Sequence, residues 1–98
     1  MPLRVIFTPD ASASLDSIAE YIALDSTSAA RDFVLTIQAR CAALSDFPQL
    51  GRVYNHSYRV LVEGKYLIFY RVSKAAAEQK VTIVLVAHGA RDFRSVLE

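Results

Sequence analysis

The spacing of apolar residues changes once along this chain, from a helical period to a strand period, and that change constrains the fold most. In the first half, apolar residues such as Leu15, Ile18 and Ile22 recur every three or four positions. This spacing places them on one face of a helix. After residue 52 the period becomes two, as in Tyr66–Val72, which is the pattern of a strand with two distinct faces. Helices followed by strands indicate an α+β architecture.

Cap and turn residues divide these patterns into elements. Leu3–Phe7 favours a strand, and Thr8 can cap a helix that starts at Pro9. A second helix follows the break at Asp25–Ser28 and ends near Asp46, because Pro48 disfavours helix in the residue before it. The later predicted elements are strands over 58–62, 65–72 and 80–87, a turn at Glu63-Gly64, a loop over 73–79 and a tail helix over 91–97. The sequence therefore predicts one domain over residues 1–98, with a helical hairpin packed on an antiparallel sheet and a short C-terminal helix.

Composition limits the function. The net charge is +1, from eleven basic and ten acidic residues, which argues against strong non-specific binding to nucleic acid. Most of the acids lie in the first half and most of the bases in the second, so an anionic partner or a solvated rim both fit the second half. We expect a cytoplasmic protein, because there is neither a signal-peptide pattern nor an apolar run of membrane-spanning length.

Neither a metal nor a cofactor is predicted. His56, His88 and Cys41 lack the spacing of metal ligands, and there is no glycine-rich phosphate loop. Cys41 is the only cysteine, which excludes an internal disulfide. It falls on the apolar stripe of the second helix, so we interpret it as a core residue.

The predicted sheet is apolar on both faces. Strict alternation in the last strand divides its residues into two sets, which are Val81, Ile83, Leu85 and Ala87 on one face and Thr82, Val84, Val86 and His88 on the other. The helical hairpin can cover only one face, and the tail helix is too short to cover the other fully. An uncovered apolar strip usually marks an interaction site, so we expect a partner segment there. The alternatives are closure by the tail or by a second copy of the chain.

A group of basic residues is the remaining candidate for chemistry. Arg52, Arg59, Arg71, His88 and Arg91 lie at or near strand ends and could gather at one edge of an antiparallel sheet. Arginines bind phosphate or carboxylate oxygens, and a nearby histidine transfers protons near neutral pH. This group would suit either RNA cleavage without a metal or the binding of a partner's acidic residues. The third interpretation is that these arginines are ordinary strand-end residues without a role in binding or catalysis.

Several segments together resemble the RelE/ParE toxin superfamily, and the ParE branch more closely. They are Phe7–Ala11, the helical positions Leu15, Ile18, Tyr21 and Ile22, then Phe47–Arg52, Tyr58–Arg59, Tyr66–Val72 and Ile83–Asp92. The resemblance implies a βααβββ fold with an antitoxin wrapped around it. RelE-like members cut messenger RNA on the ribosome, whereas ParE-like members poison DNA gyrase.

The sequence departs from the ribonuclease pattern of this superfamily. RelE-like enzymes place lysines and an arginine along the first strand after the helices, where this chain has Tyr58–Val62 with the single basic residue Arg59. They also use a tyrosine in the tail, which here contains Phe93 and Leu97 but no tyrosine. Arg91 does fit a catalytic arginine of the family.

The resemblance therefore implies a ParE-like toxin that poisons DNA gyrase, is neutralised by a cognate antitoxin, and meets operator DNA only through that antitoxin. A RelE-like ribosome-dependent endoribonuclease using Arg59, Arg71, His88 and Arg91 is the alternative. The predicted partner-binding residues are Arg52, Arg59, Leu67, Phe69, Arg71, Val84, Val86, His88, Arg91 and Phe93.

Overall fold

In the computed structural model, which describes residues 2–73, 78–90 and 97, two helices cover one face of a five-stranded sheet. The helices are α1 (Pro9–Ala23) and α2 (Thr27–Ala43). The strands are β1 (Arg4–Phe7), β2 (Arg52–Val53), β3 (Arg59–Glu63), β4 (Tyr66–Val72) and β5 (Lys80–His88). The predicted α+β class and the order of its helices and main strands are confirmed. No helix in the described part of the chain is long and apolar enough to cross a membrane.

Both helices begin at a side-chain cap. The Ala11 amide donates to the Thr8 hydroxyl at 3.0 Å, and the Ala29 amide donates to the Ser26 hydroxyl at 3.1 Å. Each bond satisfies an amide that the helix itself leaves without a partner. The capped helices turn their predicted apolar stripes toward the sheet, where Ala11, Leu15, Ile37, Cys41 and Leu44 are buried.

The sheet differs from the predicted antiparallel one in two respects. Its strand order is β1-β5-β4-β3-β2, and β1 runs parallel to β5, with Arg4 opposite Lys80, so the sheet is mixed. The strand β2 is not among the predicted elements, because Arg52–Val53 is too short to show a period of two.

The β3–β4 turn lies one residue later than predicted. Glu63 pairs with Tyr66, so the two turn residues are Gly64 and Lys65. Gly64 has a φ of 59°, which glycine adopts without steric cost and which tight hairpin turns require at the first central position. The side chain of Glu63 lies 2.9 Å from that of Arg40, which links this hairpin to α2.

Candidate partner-binding face of the sheet

The face of the sheet opposite the helices, called the open face here, carries a second apolar cluster. Its buried members are Val60, Phe69, Ala87 and Leu97, and its partly buried members are Tyr58, Leu67, Val84 and Leu85. The ring of Tyr54 meets that of Phe69 edge-on, with centroids 5.1 Å apart. The cluster agrees with the prediction that both faces are apolar. Leu97 comes from the predicted tail helix, so the chain's own C-terminal part contributes to this face.

A β-bulge at Val84 decides which residues of β5 reach the open face. Phe69 pairs with Leu85 and Tyr70 pairs with Ile83, so Val84 is an extra residue without an opposite partner. Beyond it the alternation of side chains is inverted. Leu85 and Ala87 therefore belong to the open-face cluster, which contradicts the face predicted for them.

Polar side chains of the first helical segment hold the bulge. The Thr8 amide donates to the Ile83 carbonyl at 3.0 Å, and the Thr8 hydroxyl donates to the Val84 carbonyl at 3.4 Å. The Val86 amide donates to the Ser14 hydroxyl at 3.1 Å, and that hydroxyl donates to the Ala11 carbonyl at 2.8 Å. Two short hydroxyl side chains thus bond backbone groups of β5 at the bulge and just after it, where the pairing with β1 has ended.

The bulge also moves Val86 and His88 to the helix side. Val86 is buried in the core beneath α1, so its predicted place on the open face is wrong. His88 pairs with Tyr66, and their rings meet edge-on at 5.5 Å. Tyr66 in turn contacts the ring of Phe33 on α2 at 4.7 Å. The Ala90 amide donates to Nδ1 of His88 at 3.0 Å, which leaves the ring proton of the neutral form on Nε2.

Arg59 anchors a loop and lies on the helix side, opposite Tyr70. Its guanidinium donates to the Gly51 carbonyl at 2.7 Å. The Gly51 amide donates to the Tyr70 hydroxyl at 2.8 Å, and that hydroxyl donates to the Pro48 carbonyl at 2.8 Å. Burial raises the pKa of Tyr70, while the Gly51 amide and the Arg59 charge act in the opposite direction. The guanidinium of Arg59 thus holds this loop within the fold, and its role in binding a partner or substrate stays a prediction.

The predicted basic group is not one site. Arg71 is exposed on the open face, whereas Arg59 and His88 lie on the helix side. His88 pairs with the first residue of β4 and Arg71 is its sixth, so the two are about 16 Å apart along the strand. His88 therefore does not join the predicted group, because the bulge turns it to the helix side and it pairs with the opposite end of β4, whereas Arg52 and Arg59 pair near the end that contains Arg71. Arg91 and Phe93 lie outside the described residues.

Four cationic side chains belong to the open face by strand register. Arg52 pairs with Val60 of the cluster, and Arg71 pairs with Thr82. Arg4 pairs with Lys80, two residues before Thr82 on β5. Arg4 and Lys80 were not predicted to belong to this face, because their proximity depends on the parallel pairing of β1 with β5. The alternation of residues in Leu3–Phe7 could have indicated the face of Arg4. Val5 and Phe7 pack into the helix-side core, so Arg4 lies on the opposite face.

Neither thiol nor metal chemistry is apparent in the described part of the chain. Cys41 is buried, and desolvation raises the pKa of its thiol to about 12, so the thiolate that acts as a nucleophile is strongly disfavoured. Its predicted role as a core residue is confirmed. Among the described residues no group of three His, Cys, Asp or Glu side chains could hold a metal ion.

Comparisons of the sequence and of the fold both lead to known toxins. The family described as ParE toxin of type II toxin-antitoxin system, parDE, matches residues 5–93. The chain belongs to this ParE toxin family. A curated relative, "Toxin RelE2" from Caulobacter vibrioides, is 34% identical over 89 residues, which cover 90% of this chain and 97% of the relative. The resemblance read from the sequence is thereby confirmed at the level of the RelE/ParE superfamily.

Two solved structures share the fold of this ParE family member. The chromosomal ParDE TA system from P. aeruginosa superposes with a TM-score of 0.73 at 20% identity, over 88% of this chain and 95% of that one. The toxin-antitoxin complex RelBE2 from Mycobacterium tuberculosis gives a TM-score of 0.65 at 21% identity, over 90% of this chain and 99% of that one. At these identities the likeness establishes the fold alone.

Proposed function

We propose that this protein is a ParE-like toxin that arrests growth by binding DNA gyrase and trapping it on DNA, and that a cognate antitoxin neutralises it in the cytoplasm. The observation that carries the proposal is the separation of His88 from Arg71. His88, on β5, lies on the helix side opposite the first residue of β4, whereas Arg71 lies on the open face near the end of β4. A toxin that only binds gyrase does not need an arginine and a histidine at one point, because gyrase itself performs the chemistry.

Cleavage of RNA without a metal makes stricter demands. A scissile phosphate requires a positioned cation, and proton transfer requires a side chain within about 3 Å of the reacting atoms. The Arg59 guanidinium is engaged by the Gly51 carbonyl, and the Arg71 guanidinium is on the face opposite His88. Loss of one preorganised stabilising group costs about a hundred- to a thousandfold in rate. The separation of Arg71 from His88 and the engagement of Arg59 therefore support gyrase binding over RNA cleavage.

The antitoxin is the expected partner of the open face. Both solved relatives are toxin–antitoxin systems, and the open face carries the partly buried Leu67 and Leu85 beside the exposed Val62, on the side of the sheet that α1 and α2 do not cover. Operator DNA then meets the toxin only through the antitoxin. A partner that binds only the folded toxin stabilises it by about 2.7 kcal/mol when present at a hundredfold excess over its dissociation constant. A thermal melt with and without the antitoxin measures this shift, and an unchanged midpoint at saturation would contradict the proposed partner.

Ribosome-dependent cleavage of messenger RNA is the alternative, since the curated relative carries the name RelE2. The deciding experiment adds the purified protein to gyrase with supercoiled plasmid and, in parallel, to translating ribosomes. We expect broken plasmid to accumulate while the messenger stays intact. Codon-specific cleavage of the messenger without broken plasmid would overturn the proposal in favour of the endoribonuclease.

A further inference from the structure

The open face is electrostatically one-sided. Its strands carry the four cations Arg4, Arg52, Arg71 and Lys80. Glu63 is the only carboxylate in the five strands, and it pairs with Arg40 on the helix side. The nearest acid to the cations among the described residues is the exposed Glu78, whose carboxylate lies 3.8 Å from the Lys80 ammonium. Among the described residues this face therefore has an excess of positive charge, although the whole chain is nearly neutral.

Three of these cations form one corner of the face, called the cationic corner here. Arg4 is directly opposite Lys80 on the neighbouring strand, and Arg71 is opposite Thr82, which follows Lys80 by two residues. Diagonal neighbours of this kind lie about 7–8 Å apart, within reach of one another's long side chains. Like charges this close repel, and although Glu78 already lies near Lys80, an anionic group bound between the three cations relieves the part of that cost that remains.

We propose that the cationic corner clamps acidic side chains of the protein segment that covers the open face. This inference rests on the proposed function, in which that segment belongs to the antitoxin. The opposite end of the face, around Val62, Leu67 and Ala87, is apolar and bears no strand cation. The two ends fix the direction of the segment, with its apolar anchors over Leu67 and its acids over Arg71.

The same register sets the spacing that the segment must have. Leu67 and Arg71 are four residues apart on β4, which is about 13 Å. An extended segment covers this distance with about four residues, and a helix with about nine. A protein segment fits the corner better than a nucleic acid strand, because apolar Ile6 and Val84 adjoin the cations and the net charge of +1 provides little long-range attraction for phosphates.

The test measures the affinity of the toxin for its cognate antitoxin, at 50 mM and 500 mM salt. In one variant Arg4→Gln, Arg71→Gln and Lys80→Gln are combined. Arg31→Gln, which removes an exposed arginine on α2, is the matched control. Each exposed charge pair contributes about two- to fivefold, so we expect the triple variant to bind about tenfold or more weakly at low salt, with most of the difference lost at high salt. The Arg31→Gln control should bind like wild type.

The outcomes separate this inference from the proposed function. If the triple variant binds the antitoxin as tightly as Arg31→Gln does, while Leu67→Ala weakens binding, the clamp is wrong and the open face remains the antitoxin site. If the wild-type toxin does not bind the antitoxin at all, both the clamp and the proposed antitoxin partner are wrong. A last measurement follows the binding of a fluorescent 20-nucleotide RNA to wild type and to the triple variant. Micromolar RNA binding that disappears in the triple variant, with antitoxin affinity unchanged, would show that the corner binds nucleic acid.

Discussion

The Tyr70 hydroxyl bridges two residues of the loop that precedes β2, since it accepts from the Gly51 amide and donates to the Pro48 carbonyl, each at 2.8 Å. Tyr70 is fully buried, and the Arg59 guanidinium completes the network at the Gly51 carbonyl. The loop displays the exposed side chains of Phe47 and Leu50, so this buried hydroxyl fixes the shape of a surface at the β2 edge of the sheet.

Removing that hydroxyl should destabilise the fold without leaving a large cavity. Tyr70→Phe leaves the buried Gly51 amide and the Pro48 carbonyl without their partner, which costs about 1–3 kcal/mol. For a chain of this size each kcal/mol lowers the melting temperature by about 4–8 °C. Thermal melts followed by circular dichroism measure the change, with Tyr21→Phe, at a largely exposed tyrosine, as the control. Equal melting temperatures for the two variants would contradict the network.

Gly51 itself should not tolerate a side chain. A Cβ at this position would lie 2.7 Å from the Tyr70 ring and 2.8 Å from the Val60 carbonyl, so the backbone or the ring must shift. Overpacking of this kind costs about 1–3 kcal/mol. Gly89→Ala is the matched control, because its Cβ would meet only the Lys65 carbonyl at 3.4 Å. We expect denaturant midpoints to fall for Gly51→Ala and to stay near wild type for Gly89→Ala, and the reverse order would refute the argument.

The parts of the fold that local sequence determines were predictable. Thr8 caps its helix as predicted, and the apolar stripes that contain Leu15 and Ile37 face the core, because caps and helical periods act within one or two turns. The turn at Gly64 was placed one residue early, since a glycine in a hairpin can occupy either central position and the register depends on the strand pairing.

The bulge and the parallel strand were not predictable in the same way. The run Ile83–Ala87 is apolar at every position, so its sequence fits either phase of alternation. Thr8 and Ser14, about seventy residues earlier in the chain, stabilise the phase that the structure adopts. The exact pairing of β1 is likewise a long-range property, and with it the meeting of Arg4 and Lys80.

Cys41 should report on opening of the core. Because its pKa rises from 9.0 in the unfolded chain to about 12 in the fold, the unfolded chain loses this proton first. Stability from this group is therefore complete below pH 9 and falls as pH rises from about 9 towards 12. Iodoacetamide labelling at pH 8 should be slow in the native protein and fast in urea. Equally rapid labelling in both conditions would show that the thiol is accessible and contradict its burial.

The position of His88 leads to the last prediction. Its ring lies against Tyr66 on the helix side, and Nδ1 accepts from the Ala90 amide, so the side chain is engaged in packing at the end of β5. His88→Ala should therefore lower stability modestly, by about 1 kcal/mol for the lost hydrogen bond, and leave toxicity within a few-fold of wild type. Growth arrest on induction, measured at matched protein levels, checks this. His56→Ala, at an exposed loop residue, controls for loss of a histidine elsewhere. A loss of growth arrest by a hundredfold or more in His88→Ala, with the melting temperature intact, would instead assign the imidazole a direct part in proton transfer.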